Sequence, residues 1–95
     1  MTRPNGVKTT VVTADTTIKS SPGRIWWITI SNSHATVSAQ VELEDTGTDR
    51  WGVNVEAVDL NGQPFHAVFD PPIVCDTGIT IDISNGTVKA TVGWT

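Results

Sequence analysis

The residues of types that could do chemistry are few: a run of carboxylates, two histidines and one cysteine. Glu42, Glu44, Asp45 and Asp49 fall close together, and Asp76 is available to join them in space. Calcium takes six to eight oxygen ligands in a defined array. The run lacks the alternating Asp-x-Asp-x-Asp-Gly order of a calcium loop, so it reads as the solvated end of a hairpin. His34 sits in the polar corner Ser31-Asn32-Ser33-His34, and His66 lies on the outward side of a strand. Neither has a partnered cysteine or a spaced carboxylate, which removes the zinc patterns. Cys75 cannot form an intrachain disulfide, being alone, and its neighbour Asp76 has the wrong sign to stabilise a thiolate. It reads as a small buried hydrophobe. No nucleophile elbow and no glycine-rich phosphate loop is present. The expectation is a protein that is not an enzyme, with no catalytic residue, no cofactor and no metal.

The remaining unusual residues are the indoles. The chain has four tryptophans and no tyrosine. Trp26 and Trp27 are adjacent in Gly23-Arg24-Ile25-Trp26-Trp27-Ile28-Thr29-Ile30-Ser31. A strand sends neighbouring side chains to opposite faces, so one indole faces inward and the other outward. The parity groups Trp26 with Ile28 and Ile30, and Trp27 with Ile25. Trp27 then has three readings. The N-terminal segment covers it; or Ile25 and Trp27 meet a partner protein, as tryptophan does at interface hot spots; or Trp27, Trp51 and Trp94 offer rings for a sugar to stack on.

The elements that must position these residues are strands. Val, Ile and Thr are abundant, long helix formers are scarce, and no window shows a helical apolar period. Period-two alternation appears at Val37–Leu43, Phe65–Phe69, Ile79–Ile83 and Val88–Trp94. Trp51–Asp59 is a further strand candidate, and Thr9–Ala14 with Thr17–Lys19 reads as one bent strand or two short ones. Ser20-Ser21-Pro22-Gly23 is a turn. Asn61-Gly62 and Asn85-Gly86 are hairpin signals, because a type I′ turn needs positive φ at both central residues. Asp70-Pro71-Pro72 interrupts its strand and leads into an edge, since proline cannot donate to a ladder.

Length and charge bound the rest. The chain has 95 residues, enough for one small domain. Six basic and ten acidic residues give a net charge of −4, which disfavours nucleic acid as a partner. No apolar run is long enough to span a bilayer, and no signal-peptide core is visible, so no membrane partner is expected. Residues 1–8 read as a flexible arm and residues 9–95 as a single domain. The fold expected is all-β, a small sandwich or jelly roll of seven to eight short, mostly antiparallel strands. Its inward set is Trp26, Ile28, Ile30, Val37, Ala39, Val41, Leu43, Val53, Val55, Phe65, Phe69, Ile79, Ile81, Ile83, Val88, Ala90 and Val92.

The order of these features resembles small structural proteins of tailed-bacteriophage virions, in particular capsid decoration (cement) and related head proteins. The resemblance is carried by SPGRIWWITISNS, ATVSAQVELED and FHAVFDPPIVCDTGITIDISNGTVKATVGW, over roughly residues 15 to 95. Such chains run from a Pro-Gly turn through a strand and a polar corner to a strand ending in an acidic loop. A Phe-x-x-x-Phe-x-Pro-Pro segment, a Gly-initiated strand and a short hairpin follow. The adjacent tryptophans depart from that pattern. The resemblance implies a non-enzymatic virion protein, made in the host cytoplasm, that stabilises a capsid by contact. Its partners would be a major capsid or other virion protein and further copies of itself, in a trimer. The contact residues expected are Ile25, Trp27, Val11 and Val12, with the segment Thr2–Ala14 ordering on the partner. The rival expectation is a sugar- or host-surface-binding module built on Trp27, Trp51 and Trp94.

Overall fold

A computed structural model describes residues 6–95. It contains eight strands: β1 (Lys8–Val12), β2 (Thr16–Lys19), β3 (Gly23–Asn32), β4 (Ala39–Asp45), β5 (Thr48–Val55), β6 (Phe65–Cys75), β7 (Ile79–Ser84) and β8 (Val88–Trp94). A single short 3-10 turn, Val58–Leu60, lies between β5 and β6. The strands form two four-stranded antiparallel sheets, ordered β1-β8-β3-β6 and β2-β7-β4-β5. β1 pairs with β8, β2 with β7, β3 with β6 and β4 with β5, so the chain is one long antiparallel ribbon rolled into two layers. This is the jelly-roll order.

The inner faces supply one core. Ile25, Ile28, Ile30, Val41, Leu43, Ile79, Ile81, Cys75 and Val92 are its largest enclosed side chains. Removing one of the larger aliphatics, as in Leu43→Ala, would cost about 2–5 kcal/mol. Trp51, Phe65 and Phe69 close one open side, with ring centroids 5.7 Å and 5.3 Å from Trp51. β5 and β6 belong to different sheets, so this aromatic cluster bridges the two layers where no ladder joins them.

Several expectations are corrected. Ile25 is enclosed in the core and Trp26 is only half-buried, the reverse of the expected parity. The cause is a bulge: Ile25 pairs with Trp94 and Trp27 with Gly93, leaving Trp26 as the extra residue. A bulge breaks the two-residue period, so Ile25 and Ile28 both point inward. Val37 lies outside β4 and is 40 % exposed. The strand sought at Trp51–Asp59 starts earlier and stops at Val55. Asn61-Gly62 makes no hairpin; Asn61, at φ 63°, ends the 3-10 turn on the way from one sheet to the other.

Asn85 and Gly86 do both adopt positive φ, 65° and 69°. The turn nevertheless joins β7 to β8 in opposite sheets rather than closing a two-stranded ladder. Asn32 holds it there. Its Oδ1 accepts from the Thr87 and His34 N–H groups, and its Nδ2 donates to the Val37 and Val55 carbonyls. In β6, pairing with β3 stops at Val68 and resumes at Ile73, so Phe69–Pro72 are the unpaired stretch of an edge strand.

The N-terminal segment is likewise two strands on two sheets. Lys8–Val12 pairs with β8 inside the chain, and Val12 is part of the core, so this portion has its order from its own domain. The rest of the expected arm, Met1–Asn5, lies outside the described residues.

Candidate functional site

The two sheets present outer faces of opposite chemistry. On the β1-β8-β3-β6 sheet, Thr9, Gly93, Trp27 and Val68 form one cross-strand row. Val11, Thr91, Thr29 and His66 form the next. Val68 is 67 % exposed and Val11 59 %. No carboxylate occupies an outward ladder position of this sheet among the described residues; its charges are Arg24 at one end and Lys89 at the other. The Thr29 hydroxyl and the His66 Nδ1 lie 2.7 Å apart, which ties β3 to the edge strand on this face.

Trp27 owes its position to Gly93. A Cβ built on Gly93 would lie 2.2 Å from the indole Nε1 and 2.3 Å from Cε2, so the ring lies directly over the glycine. The absence of a side chain there lets the indole lie against the sheet, and Gly93 is buried beneath it. His66 flanks the indole at 6.4 Å between ring centroids. The outward tryptophan is therefore partly covered by its own sheet and half-buried.

The other indoles are committed within the chain. Trp26 donates from Nε1 to the Thr95 hydroxyl. Trp94 donates to Thr10 Oγ1, and Lys8 and Lys19 approach its ring at 5.4 Å and 5.8 Å. Trp51 packs on Phe65 and Phe69. Of the three rings expected to form a ligand platform, the fold brings none together on one face: Trp27 lies on the outer face, Trp51 and Trp94 at opposite open sides of the sandwich. Of the four expected contact residues, Trp27 and Val11 share the outer face, while Ile25 and Val12 are in the core.

The outer face of the β2-β7-β4-β5 sheet is acidic. Glu42 stands directly opposite Asp82, and Glu44 opposite Asp49, like charges that a ladder disfavours. Glu42, Glu44 and Asp49 each bring an oxygen within 4.8 Å of the others. The Glu42 carboxyl is pushed up to about 7, first by its hydrogen bond with Asp49, then by desolvation and the charges of Asp49, Asp82 and Glu44. Glu44 is raised by desolvation and by its bond with Asp49, against the Thr80 hydroxyl that stabilises its charge. Asp82 is raised by its bond with Asp15. Three such oxygens would supply at most half of a calcium shell.

Asp45 behaves differently from the rest of the acidic run. It is buried, not solvated as expected. Its carboxylate accepts the N–H groups of Asp76 and Thr77 at 2.9 Å and of Gly78 at 3.2 Å, and Arg50 bonds it at 3.2 Å. The Thr77 and Asp76 N–H groups lead in lowering it to about 2. Asp45 thus clamps the turn through which the chain crosses from β6 to β7. The signal was in the alternation: Asp45 extends the inward series Ala39, Val41, Leu43 by one more step.

His34 and Cys75 have structural roles. His34 Nδ1 accepts from the Thr36 and Val37 N–H groups, folding the polar corner on itself. Cys75 is a buried free thiol whose proton is held more tightly because of that burial. A groove of about 560 Å³ at one end of the sandwich is lined by Thr13, Ser31, Ser33, Thr87 and Lys89 among others, without a pair of titratable groups placed for proton transfer.

Comparison with protein-family models, with curated proteins and with solved structures returned no match. The functional reading therefore rests on the surfaces themselves.

Proposed function

We propose that this chain is a non-enzymatic structural protein of a tailed-bacteriophage virion, one that decorates and stabilises the capsid through protein–protein contacts. The observation that supports it most is the outer face of the β1-β8-β3-β6 sheet, where Trp27, Val68 and Val11 stand among threonines with no carboxylate in the ladder. A rigid indole with exposed aliphatics around it is the composition of an interface centre. The jelly roll is compatible with this role, since viral capsid domains use it; lectin domains use it too, so the face and not the fold carries the reading. Many weak copies on a lattice add up, which suits a small domain with a modest contact area.

The test is co-sedimentation with purified tailed-phage capsids, built from the major capsid protein of the genome that encodes this chain. Saturable binding at a fixed number of copies per capsid is expected. Trp27→Ala should weaken it by about 2 kcal/mol, roughly thirtyfold. Failure to bind, or binding indifferent to Trp27→Ala in a folded variant, would reject the reading. A glycan-array signal that disappears in Trp27→Ala would replace it with sugar binding.

A further inference from the structure

We propose that Asn85 is a site of spontaneous covalent modification, in which the Gly86 amide nitrogen attacks the Asn85 side chain and leaves aspartate or isoaspartate at position 85. The inference is independent of the capsid reading. It concerns the turn through which the chain crosses from β7 in one sheet to β8 in the other.

The chain carries its own comparison. Asn-Gly occurs at Asn61-Gly62 and again at Asn85-Gly86. Both asparagines are exposed, and both have a left-handed φ, 63° and 65°. Glycine follows each, so no Cβ screens the nitrogen that would attack. The difference lies in that nitrogen. The Gly62 N–H donates to the Ala57 carbonyl at 3.0 Å, and a Cβ built on Gly62 would collide with the Glu56 carbonyl oxygen. That glycine is locked against its own chain. The Gly86 N–H has no acceptor among the described residues, and the Asn85 side chain has no hydrogen-bond partner among them either.

The turn is pinned on either side of this pair. Ladder pairing ends at Ser84, opposite Gln40. Beyond the pair, the Thr87 N–H donates to Asn32 Oδ1 at 3.0 Å, and the Thr87 carbonyl accepts the Ser33 N–H at 2.9 Å. Asn85 and Gly86 lie between these anchors and line the groove of about 560 Å³ at this end of the sandwich, where water reaches them. A backbone segment with few hydrogen bonds of its own opens locally at low cost. Rotation at Asn85 then brings its Cγ to the Gly86 nitrogen.

The chemistry needs only water. Hydroxide removes the Gly86 amide proton, and the nitrogen attacks Asn85 Cγ. A C–N bond forms, the Cγ–Nδ2 bond breaks, and the side-chain nitrogen leaves as ammonia, taking a proton from water. The product is a cyclic succinimide. Water then adds to either ring carbonyl. Breaking one C–N bond gives aspartate; breaking the other gives isoaspartate, whose main chain runs through Cγ. Both products add a negative charge, and isoaspartate also lengthens the main chain. There is no room for that beside Gly86, where a Cβ would lie 2.9 Å from Ala39 Cβ and from Asn32 Oδ1. The lengthened turn displaces Asn32, whose amide holds Thr87, His34, Val37 and Val55. Modification at position 85 thus loosens the crossing between the sheets.

The experiment is peptide mapping by mass spectrometry of the full native chain aged in mildly alkaline buffer, and of the same chain aged in urea. In the folded protein Asn85 is expected to convert roughly tenfold faster than Asn61, because Gly62 must first break a hydrogen bond. In urea, where both turns are lost, the two rates should converge. The isoaspartate fraction of the aged protein should melt roughly 5 °C below the native protein. Asn85→Asp, which adds the charge without lengthening the chain, should melt close to it. Equal rates at the two asparagines in the fold, no conversion at Asn85, or a preference that persists in urea overturns the site. An isoaspartate fraction that melts with the native protein overturns the coupling through Asn32.

Discussion

Asp45 shows how one side chain can tie two layers together. Its carboxylate gathers three consecutive N–H groups of the β6–β7 turn, donors that no ladder satisfies. Asparagine offers one carbonyl oxygen in place of two and turns an amide donor towards those N–H groups. Asp45→Asn should therefore lower the melting temperature at neutral pH by roughly 5 °C or more, read by differential scanning calorimetry. The pH dependence has a defined sign. A carboxyl held at about 2 in the fold, against ~3.9 unfolded, stabilises above pH ~4 and loses that contribution as pH falls towards 2. The gap between the native protein and Asp45→Asn should close over that interval. A constant gap would mean that Asp45 acts through packing and not through charge.

At the scale of the element, β3 carries the lesson. Its bulge at Trp26 turns that indole away from the core and substitutes Ile25. The neighbouring strand accommodates this with Gly93, on which Trp27 lies. Gly93→Ala should overpack that contact and destabilise by about 1–3 kcal/mol, with ~4–8 °C of melting temperature for each kcal/mol. The same substitution in a Trp27→Ala background should cost much less, because the clash is with the indole. Equal costs in both backgrounds would place the strain elsewhere. The Asn85-Gly86 turn makes a related point. Local chemistry sets its positive φ values, but Asn32, far away in sequence, binds the Thr87 N–H beyond it and the Val37 and Val55 carbonyls beside it.

The whole molecule is a sandwich with one acidic face and one face free of ladder carboxylates. The acidic face has a cost that depends on pH. Glu42, held at about 7 against 4.5, binds a proton more readily in the fold than in the unfolded chain. A raised carboxyl penalises the fold above its folded value, and the penalty is relieved as pH falls from about 7 to 4.5. Stability should thus rise on mild acidification and fall again once Asp45 is protonated, giving a maximum near pH ~4–5. Glu42→Gln should flatten the upper limb and raise the melting temperature at pH 8, measured by thermal scans across pH. Stability that increased from pH 5 to pH 8 in the native protein would contradict this account.

The alternation of Val, Ile and Thr along β4, β7 and β8 was enough to determine an all-β chain and most of its core, because a two-residue period commits one face of each strand to burial. Asp45 was legible in the same parity, though the local acidity around it read as solvent. What the tertiary structure alone decided was pairing across distance: which sheet each strand joins, where β3 takes its extra residue, and hence that Ile25 and not Trp26 fills the core. Period-two arguments hold only while the ladder stays in register, and a bulge is set by both neighbouring strands at once. Trp27 and Val11 share a face with Val68 because β1, β8, β3 and β6, from both ends and the middle of the chain, lie side by side in one sheet. No local pattern encodes that adjacency, since it is closed by contacts between residues far apart in sequence.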